Sequence, residues 1–414
     1  MDDVSVALSQ RGSTECRACG SFDLFVALDL GWSPIANSLP PLNLAINEPK
    51  YPLALRICGE CQLGQIPEFK SPGEIFSSYP YLSSTSSFWV EHAHNFCSTV
   101  LERFPHIRSS YVLEIASNDG YLLQHFRREG INVLGVDPAR NVANTANTKG
   151  IPTISEFFGV TLSKEICKDY GYPSLIVANN VAAHVPDMID FFGGISELCG
   201  PETVVSIENP SLGFLLEKGY YDTIYHEHFS YLTVLPIQKL VNSLGMKIFH
   251  VETLDTHGGS LRYWITKSTS IGINQSVEQT KKEEFKRGVG DLAPTKTFAS
   301  QARASMQELF SWVVSQPLGS IIGYGAAAKT VTTFFAANLP ENRFRMIVDA
   351  NELKQNKRLP GTLLPIVGVQ KLRNPGASKV LVFPWNLESE IVQTIRSVNP
   401  DIEVWIPNPI RRLM

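Results

Sequence analysis

The stretch SSYVLEIASNDGYLLQHFRREGINVLGVDPARN, Ser109 to Asn141, decides the fold of this 414-residue chain. YVLEI is a short apolar run that ends in an acid and an isoleucine. ASNDG is small and turn-prone. YLLQHFRREG has helical periodicity and a glycine stop, and NVLGVDP is a second strand that ends in Asp137 and Pro138. These pieces form one β-α-β unit with its loop at the carboxyl end of the first strand. Asp137 lies about twenty residues past that loop, where a carboxylate accepts hydrogen bonds from a ribose.

The loop also says which nucleoside. A pyrophosphate loop reads G-x-G-x-x-G, so that backbone can approach phosphate. This one runs from Glu114 through Ala116 and Asn118 to Gly120. An acid at Glu114 repels pyrophosphate and suits an ammonium group. The pattern points to S-adenosylmethionine (SAM), with its sulfonium and amino-acid tail. A further strand in SLIVANNVAAHVPD ends in Asn179 and Asn180, with His184 just beyond. The competing reading is an ordinary β-α-β turn without a ligand.

Around this unit the composition is globular, with 43% hydrophobic and 18% charged residues, and the length calls for two or three domains. Lys+Arg 36 against Asp+Glu 40 gives a net charge of −4, which argues against nucleic acid as a partner. No run approaches the roughly 18 apolar residues of a membrane span. The acidic, polar start MDDVSVALSQRGSTE is unlike a signal peptide, so a cytoplasmic protein is expected. Four of the seven cysteines form two Cys-x2-Cys pairs, Cys16 with Cys19 and Cys58 with Cys61. Two such pairs suit a tetrahedral Zn2+ site, which is structural because thiolates fill every position. Gly20 and Gly59 are the expected turn residues. A redox pair or a disulfide is the alternative.

YDTIYHEHFSYLT, Tyr221 to Thr233, crowds Tyr225, His226, Glu227 and His228 together in a chain with 9 histidines. If the segment is extended, Tyr225 and Glu227 share a face; if helical, Tyr225 meets His228. His-x-His can also bind metal. Farther on, KSTSIGINQSVEQTKKEEFKRGVGDLAPTKT reads as a connector. The C-terminal third then repeats the earlier plan. SIIGYG meets the small loop AAAK and a helix, and FRMIVDAN supplies a strand ending in Asp349. Helix N-termini and a lysine suit phosphate, so Gly323, Gly325 and Lys329 can hold a diphosphate. NAD is the rival ligand, but the third glycine of its fingerprint is missing.

YPYLSSTSS, LEIASNDGYLL, YHEHFSYL, HGGSLR, GYGAAAK and LPGTLLPI, together with the cysteine pairs, resemble the SAM-dependent sugar C-methyltransferases of deoxysugar biosynthesis, which build the branched sugars of antibiotics. The resemblance covers nearly the whole chain. It implies an α/β protein of three parts: a zinc module over 1–72, a Rossmann-like SAM domain over 73–268, and a second Rossmann-like domain over 269–414. The implied substrate is a nucleoside-diphosphate 4-keto-deoxysugar, methylated on the carbon alpha to its ketone. Such chemistry needs a base near neutral pKa, a donor for the enolate oxygen and an acid to orient the base. By resemblance His228 is the base, with Tyr225 and Glu227 beside it and His184 and Tyr81 as further active-site residues, while His226 is structural. In THGGSLR, a strand-joining turn competes with a substrate loop that uses His257 and Arg262. The family loop usually begins E-x-G, whereas this chain has Ala116. An O-methyltransferase and a non-catalytic nucleotide-sugar-binding protein are the alternatives. A monomer or small homo-oligomer is expected.

Overall fold

A computed structural model describes residues 14–76 and 82–413. The fold is mixed α/β, and its chain divides into two compact units that are not consecutive in sequence. One unit takes residues 1–24, 57–213 and 229–286; the other takes 25–56, 214–228 and 287–414. The chain therefore changes unit several times. Residues 214–228, which carry the Tyr225–His228 stretch, belong with the C-terminal third.

Along the chain, β1 (Leu24–Pro34) and β2 (Lys50–Cys58) are long neighbouring strands. The short β3 (Gly64–Gln65) follows. Next come β4 (Tyr111–Ile115), β5 (Asn132–Val136), β6 (Thr153–Ile154), β7 (Leu175–Asn179) and β8 (Val204–Pro210). β9 (Ser230–Tyr231) pairs with β3, and β10 (Lys247–Leu254) and β11 (Ser260–Thr266) follow. Together they give a seven-stranded sheet in the order β10-β11-β8-β7-β4-β5-β6. Its five strands from β8 to β6 run parallel, whereas β10 and β11 are antiparallel. Every residue of β4 is buried, as expected of a central parallel strand covered on both faces. Strand order reverses between β4 and β7. In such sheets a ligand binds in the crevice beyond the carboxyl ends at that switch.

In the second unit, β12 (Ile321–Tyr324), β13 (Phe344–Val348), β14 (Ile366–Val367), β15 (Lys379–Val382), β16 (Glu403–Pro407) and β17 (Ile410–Arg412) make a six-stranded sheet in the order β14-β13-β12-β15-β16-β17. Its switch lies between β12 and β15. The internal echo read from the sequence is therefore a repeat of topology. No described helix is long and apolar enough to cross a membrane.

The cysteine pairs sit on two matching turns of the first unit. Cys16 N donates to Ser21 O at 2.7 Å and Gly20 N to Cys16 O at 2.8 Å; Cys58 N donates to Leu63 O at 2.9 Å and Gln62 N to Cys58 O at 2.9 Å. The residue four past the first cysteine takes a positive φ in each turn, 73° at Gly20 and 65° at Gln62. This corrects the expectation for Gly59. Its glycine is required by close approach, because an added Cβ would collide with the Asp23 carboxylate. The four Sγ atoms lie within 4.8 Å of one another, with Cys16–Cys61 at 3.5 Å and Cys19–Cys58 at 3.7 Å. A four-thiolate Zn2+ with bonds of about 2.3 Å sets its sulfurs about 3.8 Å apart, so these residues fit a structural zinc.

Replacing Cys58 by Ser is expected to remove zinc, read as metal per chain, and to open residues 14–66 to limited proteolysis. Unchanged zinc content and an unchanged cleavage pattern would count against the four-thiolate site.

Candidate active site

At the switch of the first sheet, the residues read as a cofactor site come together. Glu114 is buried at the end of β4, and its Oε2 has no hydrogen-bond partner among the described residues. Burial, then the charges of Asp137 and Asp119, push its carboxyl pKa well up. Ser117 Oγ, Asn179 Oδ1 and Asn180 Oδ1 are likewise buried and unpartnered among the described residues. A ligand with an ammonium group and hydroxyls can satisfy such atoms. Asp137 Oδ2 accepts from Asn118 N at 2.9 Å, and Oδ1 accepts from Ala139 N at 2.9 Å, across Pro138. Burial raises the Asp137 pKa to about 6, against the pull of those two amides.

The loop is shaped by left-handed backbone. In it Ala116 and Asn118 have φ of 57° and 50°, and beyond β7 Asn180 has φ of 56°. Glycine adopts this region freely, whereas other residues pay about 1–2 kcal/mol. The Ala116 departure is thus a backbone penalty at a position suited to glycine. Gly120 is required, since φ is 78° and an added Cβ would sit 2.9 Å from Ile151. One residue here escaped the sequence reading. The buried Asp119 carboxylate accepts from Ser84 Oγ and pairs with Lys149 at 2.7 Å, tying the loop to residues 83–84. Asn118 Oδ1 adds a bond from Ser83 N at 2.9 Å.

Elsewhere in this unit, His184 closes a short turn after β7, with its ring 5.3 Å edge-on from Phe76. Tyr81 lies outside the described residues. His257 has φ 54° and its ring lies 4.9 Å from Trp89. Arg262 is buried in β11, where it binds Glu208 at 2.7 Å and Glu252 at 3.3 Å and lies over Phe96. Glu208 also meets His92 and Thr256, each at 3.1 Å. Burial pushes the Glu208 pKa up, but His92 and the Arg262 charge outweigh it and hold it at about 2. The guanidinium thus anchors a buried carboxylate within the unit.

The second unit holds the Tyr225–His228 stretch. Residues 225–228 form neither strand nor helix. They make a turn in which His228 N donates to Tyr225 O at 3.0 Å. The turn brings the Tyr225 hydroxyl to 2.6 Å from His228 Nε2, with ring centroids 4.1 Å apart. Glu227 is buried and its Oε1 accepts from Asn37 N at 2.8 Å; burial raises its pKa. His226 is buried against Tyr51 and donates from Nε2 to Pro52 O at 3.2 Å. Burial lowers its pKa to about 4, so it stays neutral and structural.

At the switch of the second sheet, Gly325 has φ 90°, and an added Cβ would collide with Pro384. Asp349 repeats the Asp137 pattern, accepting from Ala326 N at 2.7 Å and from Asn351 N at 2.8 Å. Here, however, Lys354 sits 3.6 Å from Asp349 and donates to Ala326 O at 2.9 Å. Its ammonium stands where a ribose would be expected, which counts against NAD. Lys329 lies 5.3 Å over the Trp385 ring; burial lowers its pKa while the Asp222 charge raises it.

Residues 16–76 match a zinc binding domain family, 89–251 a methyltransferase domain, and 255–406 the C-methyltransferase C-terminal domain. The chain is 32% identical over 383 residues to the C-methyltransferase NovU of Streptomyces niveus, covering 91% of both chains. This chain belongs to the C-methyltransferase family. It is a SAM-dependent methyltransferase with a structural zinc, and membership answers the O-methyltransferase and non-catalytic alternatives. Among solved structures, magnesium protoporphyrin IX methyltransferase from Synechocystis PCC 6803 is 12% identical, covering 43% of this chain and 83% of its own, with a TM-score of 0.35. The plantazolicin methyltransferase BpumL is 13% identical, covering 45% and 87%, with a TM-score of 0.36.

With SAM bound, ribose hydroxyls donating to Asp137 would favour its charged form and lower its pKa. Binding near pH 6 is therefore expected to release protons, and affinity to fall as pH drops below 6. Calorimetry in buffers of different ionisation enthalpy reads this directly. Asp137→Ala should weaken SAM by about 1.5–3 kcal/mol and abolish the proton release. Buffer-independent heats in the parent protein would contradict the assignment.

Proposed function

We propose that this C-methyltransferase acts on a nucleoside-diphosphate 4-keto-deoxysugar and methylates the carbon alpha to its ketone through an enolate. The contact between Tyr225 and His228 supports the reading, because an imidazole and a phenol hydroxyl on one turn are groups suited to a base and an oxyanion donor. The motif resemblance supports the sugar class. Gly325 and Lys329 are the groups proposed for the diphosphate, and Glu114, Asp137, Asn179 and Asn180 for SAM. His184 and Tyr81 are proposed as further active-site residues.

The proton alpha to a ketone must leave before carbon becomes a nucleophile. His228 takes that proton. The Tyr225 hydroxyl donates to the enolate oxygen as charge develops there. Before the substrate reacts, the hydroxyl and the imidazole share one hydrogen bond. As His228 takes the alpha proton and becomes imidazolium, the Tyr225 hydroxyl keeps its own proton and turns it to the enolate oxygen. Glu227, fixed by Asn37, holds the turn between them. SAM, when bound, supplies an electrophilic methyl group on a sulfonium.

A keto-sugar nucleotide incubated in D2O without methyl donor should take up deuterium at the alpha carbon. His228→Asn is expected to slow this about 10²–10⁴-fold, the usual worth of a positioned base, with nucleotide-sugar affinity retained. Exchange at the parent rate in His228→Asn would assign the base elsewhere, with His184 the next candidate.

A further inference from the structure

We propose that Asp222 is a positioning residue for the Tyr225–His228 pair, fixing the start of the catalytic turn to the C-terminal sheet of its own unit. Asp222 is fully buried in the short turn Tyr221–Thr223, three residues before Tyr225. Its Oδ2 accepts from Trp385 Nε1 at 2.6 Å, and its Oδ1 from Asn408 Nδ2 at 3.4 Å. Neighbouring residues are pinned from the same side. Asn408 Nδ2 also donates to Gly219 O at 3.0 Å, Tyr220 stacks on Trp385 at 4.1 Å, and Thr332 Oγ1 donates to Ile224 O at 2.8 Å. Residues 219, 220, 222 and 224 are thus held by groups beyond β15, beyond β16 and on the helix Ala328–Ala336.

A fully buried carboxyl is a costly way to hold a loop. The chemistry of the two anchors explains why it is present. Both are N–H donors, so both need acceptors, and only a carboxylate offers two acceptor oxygens in one side chain of this size. An asparagine would satisfy one donor and set its own NH2 against the other. Lys329 supplies the nearby positive charge, which opposes the rise that burial imposes on the Asp222 pKa. The lysine read as a phosphate ligand therefore also steadies the carboxylate behind the catalytic turn.

The inference rests on Tyr225 and His228 being the proton-transfer pair, and the test separates the two claims. The full chain, labelled with 15N at histidine, is read by long-range 1H–15N NMR, with His228→Asn assigning the His228 signals. Asp222→Asn should move the His228 Nε2 resonance away from its hydrogen-bonded position. It should also slow alpha-deuterium uptake at least ten-fold, while SAM affinity stays at the parent value. If Asp222→Asn does not fold, Trp385→Phe removes the stronger donor at nearly constant volume and should move the same resonance. A folded Asp222→Asn or Trp385→Phe protein with an unmoved Nε2 resonance would overturn the positioning role, leaving Asp222 a stability residue only. A parent protein that exchanges no deuterium into the alpha carbon of the keto-sugar would instead overturn the proposed function, whatever the resonance does.

Discussion

The hydrogen bond between the Tyr225 hydroxyl and His228 Nε2 is the contact on which the proposed chemistry depends. It exists because residues 225–228 turn back on themselves, bringing positions three apart together. A strand would have aimed the two rings at opposite faces. The turn is not held by its own hydrogen bonds alone. Its flanks are fixed by partners distant in the chain: Asn37 under Glu227, Pro52 beside His226, and Trp385 and Asn408 beneath Asp222. Each anchor is a buried polar group with a matched partner, which makes the geometry rigid and intolerant of partial loss.

The two sheets show one plan put to different uses. In each, an aspartate after the second strand accepts from the first loop and from an amide two residues onward. At the first switch this leaves unpartnered polar atoms at Glu114, Ser117 and Asn179 among the described residues, as a ligand site requires. At the second, Lys354 meets Asp349, so an internal ammonium sits beside the aspartate that stands open at the first. Shared topology therefore does not carry shared function; the contents of each crevice decide it.

Much of this was legible in the sequence because it is local. The β-α-β units follow from the period of YVLEI and YLLQHF, and the zinc site follows from cysteine spacing. What was hidden depends on partners far away in the chain. Nothing in the local pattern of 214–228 shows that it packs with 25–56 and 287–414, so the interleaved units were out of reach, and the Tyr225–His228 contact was only one of two local alternatives. Gly59 looked like a turn glycine, yet Gln62 bears the positive φ, because glycine at 59 answers the Asp23 side chain. For Arg262 the sequence left a strand-joining turn and a substrate loop open, and nothing in it showed the buried partner Glu208. Asp222 carries no motif at all, and only Trp385 and Asn408 reveal its place.

The central claim is that the methyl group reaches a carbon made nucleophilic by loss of an alpha proton. The most direct measurement uses SAM labelled with 13C in its methyl group and a 4-keto-deoxysugar nucleotide deuterated at the alpha carbon, with the product read by NMR. The account predicts a carbon-bound 13C methyl, coupled to the labelled sugar carbon's neighbours, with the deuterium gone from that position. A labelled methyl on oxygen, or a methylated carbon that has kept its full deuterium, would contradict it.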